Sequence, residues 1–158
     1  MQKLRVAVGA DHAGFPVKEA IKTYLESVGH TVSDSGTWSE ELVDYPEYAR
    51  KVAESVARGE ANLGVLCDGT GLGMAIAANK IHGIRAAAVN DLISARAARE
   101  HHDANVISIG GRIVAAEQAV EIVRAFLAAT FKGGRHQRRN EQIAGLDAAR
   151  PRVKGTAA

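Results

Sequence analysis

The stretch Val65-Leu-Cys-Asp-Gly-Thr-Gly-Leu-Gly73 sets a thiol and a carboxylate directly before three alternate glycines. Glycines that follow a strand and open a helix let backbone N–H groups converge on one small space, at the positive end of the helix dipole. Such a nest holds a phosphate, or an oxyanion that develops during reaction. The spacing is not that of a dinucleotide loop, because Met74 stands where the last glycine of G-x-G-x-x-G belongs. No Gly-Lys-Ser/Thr closes it as a Walker loop either. Gly69, Gly71 and Gly73 are expected to form an anion cradle, with a tight turn of packing glycines as the alternative.

Other groups of the chain suit the same chemistry. Asp11 and His12 stand in Gly9-Ala-Asp-His-Ala-Gly-Phe15, and helix capping by Asp11 with a solvent-facing His12 is the alternative there. His101-His102-Asp103 ends a helical stretch, where protonated histidine is favoured by the dipole. Adjacent histidines do not share a helix face, so at most one of them turns into a site. Arg135 and Arg139 lie four apart, on one helical face, and could clamp a dianion with paired bonds. Arg112 follows Ser-Ile-Gly-Gly and could join them; a solvated basic tail is the competing account. No second pair of ligands stands at metal spacing, so no metal is expected.

Strands and helices alternate in a way that could bring these groups together. Leu4–Ala10, His30–Asp34, Leu63–Asp68, Ile84–Asn90 and Asn105–Gly110 read as strands, the first ending at Gly9. Between them, 16–29, 46–58, 73–81, 91–102 and 115–131 carry apolar residues at helical spacing. Pro16 fits a first turn and Gly29 a C-terminal cap. The inward faces are Val17, Ile21, Tyr24, Leu25 and Val28 in the first helix and Val52, Ala53, Val56 and Ala57 in the second. In the last of the five they are Val120, Val123, Phe126 and Leu127. A polar segment from Arg135 to Arg150 reads as a short helix, and residues 151–158 as a disordered tail. Five such alternations imply an α/β domain over residues 1–150, a Rossmann-like three-layer αβα sandwich on a five-stranded parallel sheet with a C-terminal helical tail. Ligands of such sheets bind outside the carboxyl ends of the strands. Asp11, His12, Cys67 to Gly73, Asn90 and Arg112 all fall there.

The 158 residues suit one core, and 46% apolar with 24% charged content is that of a globular protein. One cysteine makes no internal disulfide, and no stretch approaches the roughly 20 apolar residues of a membrane span. The opening residues do not read as a signal peptide, so a cytoplasmic protein is expected. Seven Lys or Arg but only Glu141 and Asp147 fall between Lys132 and Lys154. Without interleaved aromatics, that basic end does not point to nucleic acid.

Taken together, Gly9–Phe15, Gly36-Thr-Trp-Ser39, Asp44-Tyr-Pro46, Gly69–Lys80, Gly83-Ile-Arg-Ala-Ala87, Asn105–Arg112 and Gly133–Arg139 resemble, in order, the ribose-5-phosphate isomerase B family, which includes the galactose-6-phosphate isomerase subunits. The resemblance runs from about residue 5 to 145. It implies an aldose–ketose isomerase of a sugar phosphate that works through an enediolate without metal or organic cofactor. It further implies a homodimer or dimer of dimers with active sites at the subunit interface. By position, His101 resembles the ring-opening acid/base, aided by Asp11. Thr70 and the amides of Gly69 to Gly73 resemble the nest for the enediolate oxygens. His12, Arg112, Arg135 and Arg139 resemble phosphate ligands, the tail arginines reaching from one subunit to the other, and Tyr45 resembles a pocket-lining tyrosine.

Two positions depart from the family pattern. Many members carry a cysteine base immediately before Gly-Thr-Gly, where this chain has Asp68; its only cysteine, Cys67, is one residue earlier. Neighbours on a strand point to opposite faces, which turns Cys67 into the sheet–helix packing. A second branch uses a glutamate just after the loop, and that place is Met74. Asp68 is therefore the expected base, with Cys67 through local rearrangement, or neither, as the alternatives. His102 stands where ribose-specific members commonly have asparagine, which suggests a shifted substrate. Ribose 5-phosphate to ribulose 5-phosphate is the expected reaction. Another four- to six-carbon sugar phosphate, or a non-catalytic subunit of a heteromeric isomerase, is the alternative.

Overall fold

The computed structural model describes residues 2–148, so the tail expected at 151–158 lies outside the described residues. Apolar, β-branched runs without alternation make strands that bury both faces, the mark of a parallel sheet. Every residue of β3 (Leu63–Asp68) and β5 (Val106–Gly110) is buried, as is nearly all of β1 (Arg5–Ala10). The edges are the shorter β2 (Thr31–Asp34) and β4 (Ala86–Ala88). All pairings are parallel, in the order β2-β1-β3-β5-β4, and the register sets Cys67 between Ala10 and Ile109.

β4 is shorter than the expected 84–90, although its flanks still bond alongside β5: the Val89 amide donates to the Ser108 carbonyl (2.9 Å) and the Arg85 carbonyl accepts the Asn105 amide (3.2 Å). The Arg85 amide donates to Asn105 Oδ1 (2.8 Å), and Asn90 turns its own amide group toward neighbouring loops.

Two helical layers cover the sheet. α1 (Phe15–Ser27), α4 (Leu92–His102) and α5 (Ala116–Ala128) pack on one face, where Ile21, Leu25, Ile107, Ile122 and Phe126 are fully buried. α2 (Tyr45–Ala57) and α3 (Leu72–Ala78) pack on the other, around Val52, Leu66 and Met74. α6 (Arg135–Ala148) lies outside the layers and buries no residue. Three faces differ in detail from expectation. Val28 lies just beyond α1 and is exposed, and Ala57, the last residue of α2, is exposed too. On α5, Ala119 and Ile122 take the deepest positions, while Val120 and Leu127 are half-buried.

This winding fixes where a ligand fits. From β1 the chain crosses to β2 by α1, on one face; from β3 it leaves for β4 by α3, on the other. The loops after β1 and β3 therefore part at the crevice between those two strands, the switch point of a doubly wound sheet.

Candidate active site

Strand alternation decides between the two chemical groups that precede the glycines. Cys67 faces the α1–α5 layer, fully buried among Val17, Ile109 and their neighbours, and burial pushes its thiol well above the usual range. A thiol that resists ionisation makes a poor base. In this structure the Cys67 side chain belongs to the core, turned away from the glycine loop.

Asp68 faces the other layer and is also buried. One carboxylate oxygen accepts the amide of Gly71, and the other accepts that of Met74 at 3.1 Å. Burial pushes this carboxyl above its ordinary value, and these amide bonds recover only part of that shift. The geometry differs from the expected base in front of an empty nest. The Asp68 carboxylate is itself an anion that the nest holds.

The glycines allow that clasp. Gly71 precedes α3 in the left-handed conformation, φ 82°, where a Cβ would lie 2.9 Å from the Ser108 carbonyl oxygen. At Gly73 a Cβ would strike the Tyr45 ring at 2.6 Å, which is how Tyr45 comes to lie on the loop. The Thr70 hydroxyl accepts the Leu72 amide (3.3 Å) and keeps its proton to give.

Neighbouring loops converge on the same edge. Asp11 is buried in the turn after β1. Its Oδ1 accepts the amides of Ala13 (2.9 Å) and Gly14 (3.0 Å), and its own amide donates to the Cys67 carbonyl (3.1 Å). His12 accepts the Val43 amide on Nδ1 (3.3 Å), which ties down the loop before α2. The Arg112 amide donates to the Gly69 carbonyl (3.0 Å), and the Arg112 guanidinium lies against Gly69. Asn90, to which the sequence reading gives no role, joins three loops: its Nδ2 donates to the Thr70 carbonyl (3.2 Å) and its Oδ1 accepts the Gly110 amide (2.8 Å). Its place at the end of a strand was the only signal for it.

His101, His102, Arg135 and Arg139 lie elsewhere. α4 runs back against the strands, so its last residues reach the amino edge of the sheet. There Arg85, just before β4, donates to the carbonyls of His102 (3.1 Å) and Asp103 (2.7 Å). The 11 residues of α4 span roughly 16 Å, about the height of the sheet, between this end and the glycine loop. α6 joins the same end, where the His136 ring stacks on that of His101 at 4.5 Å and 12°. Desolvation, and then the charges of His101, Arg135 and Arg139, hold His136 below the ordinary imidazole range. Lys132 pairs with Glu100 (2.7 Å) beside them. One chain therefore carries its candidate groups in two separate clusters: carboxylates, glycine loop and Arg112 at the carboxyl edge, histidines and tail arginines at the amino edge.

Among the described residues no group of three His, Cys, Asp or Glu side chains converges as for a metal ion, and no helix is long and apolar enough to cross a membrane.

Comparison with known proteins adds three likenesses and a family. Residues 6–143 match the family described as Ribose/Galactose Isomerase. The chain is 47% identical to ribose-5-phosphate isomerase B of Escherichia coli K12 over 146 residues, 92% of this chain and 98% of that one. It resembles the crystal structure of a ribose 5-phosphate isomerase from Thermotoga maritima with a TM-score of 0.88 and 49% identity, covering 91% of this chain and 99% of that one. It also resembles, with a TM-score of 0.88 and 36% identity, ribose-5-phosphate isomerase B from Mycoplasma genitalium with bound ribulose-5-phosphate, over 92% and 97% of the two chains.

Proposed function

This chain belongs to the ribose/galactose isomerase family, and we propose that it interconverts an aldose phosphate and its ketose phosphate, ribose 5-phosphate and ribulose 5-phosphate above others. The observation that carries this reading is the pairing of buried carboxylates with a glycine loop at the switch point. Proton transfer between neighbouring carbons needs such a base, and the enediolate between needs hydrogen-bond donors around its oxygens. Thr70 and the loop from Gly69 to Gly73 supply donors, and Tyr45 walls the pocket. His12 and Arg112 take the phosphate together with Arg135 and Arg139, whose forked guanidinium groups fit a dianion. His101 moves the proton that opens the furanose, with His102 beside it on the sugar. A longer sugar phosphate is the second reading, favoured by the family's galactose branch and by the broader His102 ring.

Because the two clusters stand at opposite edges of the sheet, each is a half-site and the working unit is a two-fold dimer, alone or paired with a second dimer. In it the α4–α6 end of each subunit covers the carboxyl edge of the other. Supporting this is an apolar rim on that edge: Leu72, Ile76, Leu92, Ile93 and Ile113 are all exposed, Ile93 by 84%. A surface of that kind fits a partner better than water.

The purified protein is expected to turn ribose 5-phosphate into ribulose 5-phosphate with no added metal or cofactor, followed by proton NMR. Absence of isomerisation across a panel of four- to six-carbon aldose phosphates would overturn the proposal. Cys67→Ala is expected to keep turnover within about threefold while costing about 1–2 kcal/mol in urea unfolding, since it only empties a core position. A fall of about a hundredfold would return the thiol to the reaction.

A further inference from the structure

The reaction needs a carboxylate oxygen that is both fixed and free to take a proton. At the carboxyl edge, Asp68 has each oxygen engaged by a loop amide, one by Gly71 and the other by Met74. Asp91 caps α4, with Oδ1 on the Ser94 amide (2.7 Å) and Oδ2 on the Ser94 hydroxyl (2.8 Å). Asp11 differs from both. Two amides fix its Oδ1, and its Oδ2 takes no hydrogen bond among the described residues.

The turn that carries Asp11 is wedged into the switch point. A Cβ on Gly14 would lie 2.0 Å from the Cys67 carbonyl oxygen, and one on Gly111 would lie 2.7 Å from that of Ala13. The residue is 6% exposed, so it belongs to the floor of the crevice and not to its rim. Its turn continues β1 past the pairing of Ala10 with Cys67, and the Asp11 amide donates to the Cys67 carbonyl (3.1 Å), which sets Asp11 beside the chain at Asp68.

We propose that Asp11 is the base that takes the proton from carbon, and that Asp68 is a positioning residue that shapes the glycine loop. This rests on the isomerase reading above and deepens it. With an open-chain aldose phosphate, Asp11 Oδ2 takes the proton from C2. The electron pair of that C–H bond becomes the C1=C2 bond, and the π pair of the C1 carbonyl moves to O1. The hydroxyl proton of O2 passes to O1. The C1=C2 pair then takes the proton back from Asp11 at C1, as the O2 lone pair closes the new carbonyl at C2. The carboxylate ends as it began.

Ribulose 5-phosphate separates this role from ring opening. Its O5 is esterified, so it cannot close a furanose, and exchange of its C1 hydrogen with solvent needs the carbon base alone. The test is wash-in of deuterium at C1 of ribulose 5-phosphate in D2O, read by proton NMR, beside the forward rate from ribose 5-phosphate. Asn at position 11 can still accept both amides through its oxygen. Asp11→Asn is therefore expected to lose about a thousandfold in both measurements, with KM within about threefold. If it exchanges C1 at a near wild-type rate while the forward reaction falls, Asp11 opens rings and the proposal is wrong; near wild-type rates in both overturn it equally. Should Asp11→Asn not fold, Asp11→Ser, whose hydroxyl can take the same amides, is measured in its place. A wild-type protein that neither exchanges nor isomerises would instead remove the isomerase reading itself.

Discussion

Two nearly inactive variants of this protein are expected to make an active enzyme when they share a dimer. Asp11→Asn damages the carboxyl-edge half-site, and His101→Asn damages the half-site at the far end of α4, roughly 16 Å along the 11-residue helix. Each variant alone should fall by about a hundredfold or more, the usual weight of a general acid or base. Co-expressed in equal amounts, the chains pair at random, and about half of the dimers contain one of each. In such a dimer one composite site collects both damaged residues and the other collects neither. About a quarter of the wild-type turnover should therefore return, and about half in dimers purified through two different affinity tags. If instead each chain built its site from its own residues, every site would carry one damaged group and mixing would restore nothing. Doubly tagged dimers that stay as slow as the parents would refute the shared site.

The sheet, its layers and the identity of the loops at its carboxyl edge were legible from periodicity, because long apolar runs leave a buried strand little choice. Cys67 was legible too: alternation along β3 turns it from Asp68 whatever the details of the loop. The bonding of Asp68 was not, since amides that converge on a pocket will equally take a side chain that reaches them, and no spacing rule says which. The separation of His101 and His102 from the glycine loop was implicit in the order of elements. A helix that returns antiparallel to its strand carries its last residues, here His101 and His102, to the wrong edge for the glycine loop. Motif order along the chain conceals this, because it lists residues without direction. Lys18 gave a signal that propensity reading passes over: a lysine beside Val17 on the inward face of α1, where a solvated charge has no place.

Lys18→Met is expected to be the most damaging single change outside the reaction itself. The Lys18 side chain is 0% exposed, and its ammonium donates to both oxygens of Asp34 (2.8 Å each) and to the Thr37 carbonyl (2.7 Å). Met fills the same volume, so the loss is electrical. Asp34, itself only 11% exposed, would keep the weaker help of Lys22 (3.3 Å) and of the Gly36 amide (2.9 Å). Removing one partner of a buried pair costs about 3–5 kcal/mol, and the help that remains puts this case near the lower end. In a chain of this size that is a fall in Tm of about 6–12 °C. The double change Lys18→Met with Asp34→Asn should recover a large part, because no unpaired charge is left. The sign with pH follows from Asp34. Burial alone would raise its pKa, but the hydrogen bonds and charge of Lys18, with Gly36 and Lys22, bring it below the ordinary value. A carboxylate with a depressed folded pKa stabilises fully above its unfolded pKa, about 3.9, and that share is lost as pH falls through the folded value. The gap between wild type and Lys18→Met should therefore be widest at neutral pH and narrow below about pH 4. The same loop reaches the site, since the Thr37 amide donates to the Ala10 carbonyl (2.7 Å), next to Asp11, so turnover should fall along with stability. A Lys18→Met protein that unfolds within about 1 kcal/mol of wild type at pH 7 would show that this buried pair does not hold the loop.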